Sequence, residues 1–273
     1  MGIFLFSVDL EDVSVELEGE NVYTGRVCQM TERYLALLQQ YNAKATFFTT
    51  GDIAREFPDL IKEIAGEGHE IACHSNKHLS IDDQNPETFK EDLNRNREAL
   101  QKAGVDSTVG FRAPMFSLTE KNQWVYKVLK DLGFKYSSSV MPMNNPIYGW
   151  KSFGLRAKVM KGICELPISV FTISGFRFPL AGGVYFRLLP LFVIRRYFEQ
   201  IREKEEPIIG YFHPQDGDDS FQKLKYKKYN KRHNFLLNFN KSSLFGKLET
   251  LLNHDFRILR YDAYCIEKGL IQP

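Results

Sequence analysis

The chain has 273 residues, of which 43% are hydrophobic and 26% are charged, and its formal net charge is +2. This length suits one large domain or two small ones, and the composition is that of an ordinary globular protein. The charge is too small to indicate a nucleic-acid partner, and no apolar run approaches the length of a membrane span. We therefore predict a single domain over residues 1–273 that does not bind nucleic acid.

Strand-like and helix-like segments alternate along the chain. Apolar, β-branched runs predict strands at 3–9, 45–50, 69–73, 109–111, 163–173, 207–212 and 256–261. Amphipathic segments predict helices at 27–41, 57–65, 86–103, 119–132, 189–203 and 244–253. This alternation predicts parallel strands with helical crossovers. Seven or more such strands favour an α/β fold in which a barrel is closed or nearly closed, with its chemistry at the C-terminal ends of the strands.

An acidic cluster, Asp9, Glu11 and Asp12, ends the first predicted strand. Charge at a strand end is costly unless a metal or catalysis uses it. His74 and His78 follow another predicted strand, and imidazoles four residues apart lie on one face of a helical turn, close enough to bind one divalent cation. Two histidines need a third ligand, and the acidic cluster is its best source. A His–His–carboxylate set predicts Zn2+, although Co2+, Ni2+ or Fe2+ would also suit it.

Arg112 and His213 also come directly after predicted strands, so the fold should bring them close to the histidine pair. A metal held by two histidines and a carboxylate polarises a carbonyl and lowers the pKa of water. A second carboxylate can act as general base, a separate histidine can protonate the leaving group, and an arginine can keep the base charged and in place. This combination predicts metal-assisted hydrolysis of an amide or ester.

The same segments resemble the ordered motifs of a known family, the polysaccharide deacetylases (carbohydrate esterase family four). The matching segments are 7–12, 44–48, 74–78, 112–114 and 211–213. Residues 181–190 and 232–235 are similar to the exopolysaccharide-associated branch of that family. The resemblance implies a distorted (β/α)7-8 barrel and a metal-dependent deacetylase that acts on the carbon–nitrogen bond of an N-acetylated sugar or glycan precursor.

The resemblance also implies a role for each candidate site residue. By this resemblance Asp9 would be the catalytic base, His213 the general acid and Arg112 the residue that orients the base. His74 and His78 would bind the metal, and Pro114 and Tyr211 would bind the substrate.

Two departures from the family pattern leave questions open. The family has two adjacent aspartates where this chain has Asp9-Leu10-Glu11-Asp12. In an extended strand Glu11 shares a face with Asp9, which favours Glu11 as the metal ligand, whereas an immediate turn would let Asp12 reach the metal instead. Ser137 stands where the family has an acidic residue. This serine weakens any charge relay through that position and predicts a slower enzyme or a different substrate.

Two other functions are compatible with the same residues. The barrel and its metal could serve a hydrolase of cyclic amides or imides, or a deformylase of lipid-linked sugars. Alternatively, Ser137 could mark a catalytically weakened glycan-binding protein. Retention of all the motifs favours the enzyme, because a chain relieved of catalysis has no reason to keep them together.

The N-terminal apolar run is interrupted by Asp9 and has no basic leader, so we predict a cytoplasmic protein. Such an enzyme would meet lipid- or nucleotide-linked glycan precursors. The basic segment 223–232 would then contact a diphosphate, unless it is only a solvated face. The apolar run 185–198 is either a largely buried helix or a peripheral contact with the inner face of the membrane. The sequence does not predict an oligomeric state.

Overall fold

The structure, a computed structural model, describes residues 2–14, 17–18, 23–144, 148–219, 224–227, 230–252 and 256–272. Its strands are β1 (Gly2–Leu5), β2 (Ser7–Leu10), β3 (Thr46–Thr49), β4 (Glu70–Cys73), β5 (Gly110–Phe111), β6 (Tyr136–Ser137), β7 (Lys158–Met160), β8 (Ile163–Glu165), β9 (Val170–Ile173), β10 (Phe176–Pro179), β11 (Ile208–Ile209) and β12 (Phe256–Leu259). Its α-helices are α1 (Thr24–Gln40), α2 (Gly51–Glu56), α3 (Pro58–Gly66), α4 (Pro86–Lys102), α5 (Val125–Asp131), α6 (Gly183–Leu188), α7 (Leu191–Glu203), α8 (Lys231–Asn238), α9 (Ser243–Leu252) and α10 (Tyr261–Glu267).

Most of the strands pair in parallel. The larger sheet has the order β2-β3-β4-β5-β6-β8-β7, and only β7 runs antiparallel to its neighbour. A second sheet has the order β11-β1-β12 and is parallel throughout, while β9 and β10 form an antiparallel hairpin. Parallel strands connected through helices confirm the predicted α/β class.

A fully closed barrel is not found among the described residues, although the isolated pairing of Val8 with Phe212 joins the two sheets. In the described part of the chain, the strands form two parallel sheets without closing into one barrel. The extended N-terminal run is broken at Phe6, so β1 pairs with β11 and β12 whereas β2 pairs with β3. The segment after β8 also meets β11, where the N–H of Ser169 donates to the carbonyl of Ile209 over 3.2 Å. Pro167, just before this contact, has no N–H with which to extend a strand ladder.

The long predicted helices and strands are present, most with ends shifted by one or two residues. Three predicted segments are divided: 3–9 falls on β1 and β2, 119–132 contains a 3-10 turn followed by α5, and 163–173 contains β8 and β9. The short elements β6, β7, β10, α2, α8 and α10 were not predicted, because a few residues carry too little periodicity to be recognised. The run 185–198, for which one largely buried helix was an alternative, is divided between α6 and α7. Among the described residues, no helix combines the length and the apolar character needed to cross a bilayer.

Aromatic side chains support the ends of the central strands. Phe6 stacks on Phe212 with ring centroids 5.0 Å apart, and Phe186 packs edge-on against Phe212 at 5.2 Å. These contacts fix the backbone immediately before His213. Phe48 lies on β3 and is fully buried. The residues that follow the strands are therefore held by a packed aromatic layer.

Candidate active site

Four parallel strand segments end at one edge of the sheets and deliver the predicted site residues there. Asp9 lies on β2, and its backbone N–H donates to the carbonyl of Phe212 over 2.8 Å, which joins it to the segment of His213. His74 directly follows β4, and Arg112 directly follows β5. The carboxyl ends of parallel strands meet at one edge, which explains why residues distant in sequence converge.

Glu11, His74 and His78 form a compact group of potential metal ligands. One ligand atom from each lies within 4.8 Å of the others. Oε2 of Glu11 is 2.5 Å from Nε2 of His78 and 3.6 Å from Nε2 of His74. This oxygen is buried, yet no described residue donates it a hydrogen bond of regular geometry. The three groups thus face a common point, as ligands of one cation do.

The tautomer of His74 suits metal binding. Its Nδ1 lies 2.9 Å from the backbone carbonyl of Arg112, and a carbonyl can only accept a hydrogen bond. Nδ1 must therefore carry the proton, which leaves the lone pair of Nε2 directed towards Glu11. Burial raises the pKa of Glu11, but the charge of His78, the close approach of His74 and the charge of His213 bring it well below its usual value, so Glu11 is ionised.

The two histidines are not on a helical turn, contrary to the expectation from their spacing. Residues 74–78 form a loop after β4, and Ser75 and His78 have positive φ angles of 63° and 54°. Two buried polar residues of α4 hold this loop. Asp92 accepts from the N–H of Asn76 at 2.8 Å, and Asn96 donates to the carbonyl of Ser75 at 2.6 Å. The imidazole centroids come within 5.1 Å because the backbone is bent, at a cost in strain typical of functional sites.

Asp12 is placed differently from Glu11. Oδ1 of Asp12 accepts from the N–H and the hydroxyl of Ser14, at 2.8 and 2.6 Å. Asp12 is therefore used in the turn after β2, and the group of potential ligands contains Glu11 instead. The geometry favours the first of the two alternatives left open by the sequence.

Replacing Glu11 by glutamine is expected to weaken Zn2+ binding at least about 100-fold, since even partners one shell further out contribute roughly 10–100-fold to metal affinity. The matched control is Asp12→Asn, which makes the same chemical change on the next residue and should leave the affinity unchanged. Competition with a chromogenic chelator measures both. The assignment is wrong if Asp12→Asn weakens binding and Glu11→Gln does not.

Asp9 and Arg112 form a buried ion pair beside the ligand group. Nη1 of Arg112 donates to Oδ1 of Asp9 at 2.5 Å, and the two side chains are 0% and 3% exposed. The other donors of the guanidinium are also satisfied, by Ser7, Ser138 and Tyr261 at 2.7 to 3.1 Å. Its carbon lies 3.9 Å from the ring centroid of Phe48. Arg112 is thus fixed on every side and holds Asp9 in one orientation.

His213 lies close to both carboxylates. Its Nε2 is 4.0 Å from Oδ2 of Asp9 and 3.9 Å from Oε1 of Glu11. Its Nδ1 is 2.9 Å from Oδ2 of Asp216, whose other oxygen receives a bond from the buried Arg187 at 3.2 Å. Burial lowers the pKa of His213, but the hydrogen bond and charge of Asp216, followed by the charges of Glu11 and Asp9, raise it to about 9. His213 is therefore protonated at neutral pH and can donate a proton.

A cavity of about 550 Å³ opens beside Glu11 and His78 and is within the size range of small-molecule sites. Tyr211 lies beside His213, with the two ring centroids 5.9 Å apart. Pro114 is buried and begins a 3-10 turn two residues after Arg112. Their predicted contact with substrate stays a prediction.

A buried acid lies on the strand that pairs with Ser137. Glu165 on β8 lies directly opposite Ser137 and is fully buried. Its Oε1 accepts from the backbone N–H groups of Ser139 and Val140, at 2.7 and 3.0 Å. These bonds fix the segment whose Ser138 binds Arg112. Burial raises the pKa of Glu165, an effect that these hydrogen bonds only partly oppose.

Replacing Glu165 by alanine should lower the free energy of unfolding by about 3 kcal/mol, because it leaves two buried N–H groups without an acceptor. Glu165→Gln keeps one acceptor oxygen and should cost less. Urea denaturation of both variants measures the difference. Equal stability of wild type and Glu165→Ala would show that Glu165 does not hold this segment.

Sequence reasoning missed Asp216, Arg187 and Glu165. A signal existed for two of them. Asp216 is three residues from His213, a spacing that suits a tight turn, and Glu165 is an acid inside an apolar strand, where a charge needs a partner. Arg187 has no comparable local signal.

Known proteins share this fold and part of this sequence. Residues 23–137 match the family model described as polysaccharide deacetylase, and residues 138–265 match a domain of unknown function, DUF3473. A solved structure from Mycobacterium smegmatis, described as a polysaccharide deacetylase, has a TM-score of 0.65 and 22% sequence identity, over 99% of this chain and 92% of that chain. The α/β fold is therefore one that such proteins adopt.

Two curated relatives match part of the chain. A peptidoglycan-N-acetylglucosamine deacetylase from Bacillus cereus is 32% identical over 92 residues, which are 34% of each protein. The peptidoglycan-N-acetylmuramic acid deacetylase PdaA of Bacillus subtilis (strain 168) is 30% identical over 117 residues, covering 42% of this chain and 41% of PdaA. These alignments span less than half of either relative. Residues 23–137 are therefore similar to the polysaccharide deacetylase family.

Proposed function

We propose that this protein is a metal-dependent hydrolase that removes the N-acetyl group from an N-acetylated sugar or glycan precursor. The observation that carries the proposal is the convergence of three potential ligands, Glu11, His74 and His78, with a buried carboxylate and a protonated histidine. The matched family and the names of the relatives support the same reaction.

The residues present fit a divalent cation. The donor set is two imidazole nitrogens and one carboxylate oxygen, and a buried oxygen of Glu11 has no regular hydrogen bond without it. Such a set suits Zn2+, with Co2+, Ni2+ and Fe2+ as alternatives. A cation held by Glu11, His74 and His78 would polarise the acetyl carbonyl and lower the pKa of water.

The remaining residues supply the proton transfers. Asp9 would accept the proton of the attacking water, and Arg112 orients Asp9 and balances its charge. His213 would donate a proton to the nitrogen of the departing amine. Asp216 keeps the ring of His213 oriented and its pKa high enough for it to be protonated at neutral pH. Together these residues would supply the two proton transfers that hydrolysis of the amide bond requires.

The substrate is proposed at the level of its class. The named relatives act on N-acetylated sugars of peptidoglycan. We propose an N-acetylated sugar of an exopolysaccharide-type glycan, linked to a lipid or nucleotide, with Tyr211 and Pro114 shaping its acetyl pocket. The basic segment 223–232 would contact the diphosphate, and residues 223, 228 and 229 of it lie outside the described part of the chain. A single domain over residues 1–273 is supported by the pairing of β6 with β8, which joins the two matched segments.

Acetate release tests the proposal. The purified protein is incubated with oligomers of N-acetylglucosamine and with peptidoglycan fragments, with and without added Zn2+ or Co2+. Metal-dependent acetate release is the expected result. Hydrolysis of a cyclic imide, or formate release from an N-formylated sugar, without any acetate, would favour the rival hydrolases. No metal binding and no turnover, despite binding of the oligomers, would favour a glycan-binding protein.

A further inference from the structure

A long segment between β8 and the second half of α7 carries arginines but no acids. Between Glu165 and Glu199 the sequence contains four arginines, six phenylalanines and no aspartate, glutamate or lysine. The segment comprises the β9–β10 hairpin, α6 and the first half of α7. Arg187 is buried against Asp216, whereas Arg195 and Arg196 are exposed on α7. The surface formed by this segment is therefore positively charged.

The same segment exposes large apolar side chains. Phe192 on α7 is 73% exposed and Phe176 on β10 is 70% exposed, the two highest values among large hydrophobic residues in the described part of the chain. Ile173, which is 55% exposed, lies directly opposite Phe176 in the hairpin, so the two side chains share a face. Arg195 and Arg196 follow Phe192 by three and four residues and lie on its side of the helix.

A groove of about 690 Å³ joins these elements into one surface. It is lined by Ile173 of the hairpin, Phe192 of α7 and Leu155 of the preceding loop, and Arg196 lines it as well. The hairpin is packed firmly on α7, because the hydroxyl of Tyr197 donates to a carbonyl of β9. We call Ile173, Phe176, Phe192, Arg195 and Arg196 the arginine–phenylalanine face.

Acidic groups near this face are few. Glu206 lines the groove, but it is paired with Arg156 at 2.8 Å. Glu199 and Glu203 lie further along α7, in its second half. Lys204 adds a further positive charge at the rim of the groove. The positive charge of the face therefore complements an anionic partner. Its exposed apolar side chains require that this partner also has an apolar region.

We propose that the arginine–phenylalanine face binds the surface of an anionic phospholipid bilayer. Phenylalanines at the boundary between headgroups and acyl chains, flanked by arginines, are the combination that holds proteins on such surfaces. Exposed phenylalanines on a free surface would instead face water at a cost, while a bilayer buries them without requiring a shape-matched partner. The proposal does not depend on the reaction assigned to the active site.

Co-sedimentation with vesicles tests this proposal. Wild-type protein should pellet with vesicles of equal parts phosphatidylcholine and phosphatidylglycerol, and should do so less at high salt and with phosphatidylcholine alone. The double variant Phe176→Ser/Phe192→Ser should bind the anionic vesicles at least about tenfold more weakly, because it removes the apolar anchors. The affinity of the double variant Arg195→Glu/Arg196→Glu for the anionic vesicles should be lower by about tenfold or more.

The matched control is Phe235→Ser on α8, which replaces a phenylalanine that is 62% exposed but lies outside the face. It should bind as the wild type does, and thermal unfolding should show all variants folded. Failure of the wild type to bind anionic vesicles, or an equal loss in the Phe235→Ser control, overturns the proposal. A third result would also overturn it: the wild type forms a dimer in sedimentation velocity and does not bind vesicles, and Phe176→Ser/Phe192→Ser abolishes the dimer. That result would assign the face to a second copy of the chain.

Discussion

Replacing Asp9 by asparagine is expected to reduce kcat/KM for acetate release by roughly a hundred- to ten-thousand-fold, the range typical of a lost general base. The amide cannot take the proton that Asp9 would accept. Metal content should remain unchanged, because Asp9 is not in the group formed by Glu11, His74 and His78. Steady-state kinetics and metal analysis on the same sample separate the two effects.

The Asp9→Asn variant should also be less stable. Arg112 is fully buried, and removing the charge of its partner leaves an uncompensated cation, at a cost of about 3–5 kcal/mol. Activity must therefore be compared at a temperature where urea denaturation shows the variant folded. Asp12→Asn, a nearby substitution outside the ion pair, serves as the control for both measurements. A folded Asp9→Asn variant with undiminished kcat/KM would rule out Asp9 as the base.

Replacing Asp216 by asparagine should move the basic limb of the pH–rate profile to lower pH. The general acid works when protonated, so activity is lost as the pH rises through the pKa of His213. Burial lowers that pKa, but the hydrogen bond and charge of Asp216, together with the charges of Glu11 and Asp9, raise it to about 9 in the wild type. Without the charge of Asp216 the pKa should fall, while Glu11 and Asp9 still raise it, so the limb should move by roughly one to two pH units. Initial rates across the pH range measure the shift.

Asp218 offers a matched control for the Asp216 experiment. It lies two residues further on, is equally buried, and pairs with Arg26 at 2.5 Å instead of with His213. Asp218→Asn should therefore lose an ion pair while leaving the basic limb in place. If both variants shift the limb equally, or neither shifts it, the charge of Asp216 does not set the pKa of His213.

The α/β class could be predicted from the sequence because its long helices and buried strands carry a clear periodicity. Whether the sheets close into a barrel could not be predicted from the sequence. It depends on where a continuous run is broken and on which strand ends meet, as at Phe6 and at the contact of Ser169 with Ile209. Interactions of this kind involve one or two residues and leave no periodic pattern.

The convergence of Asp9, His74, Arg112 and His213 followed from one rule, that the ends of parallel strands share an edge. Their conformations did not follow from it. The spacing of His74 and His78 predicted a helical turn, whereas the structure has a strained loop held by α4. Partners such as Glu165 were missed because strand pairing, and not sequence proximity, brings them to the site.

Metal analysis of wild type and His78→Ala, purified in parallel, tests the central claim most directly when acetate release is measured on the same samples. His78 is one of three potential ligands, so its loss should remove both the metal and the activity. The predicted result is about one divalent cation per wild-type chain with acetate release, and neither in the variant. Acetate release that persists in a metal-free His78→Ala variant would contradict the account.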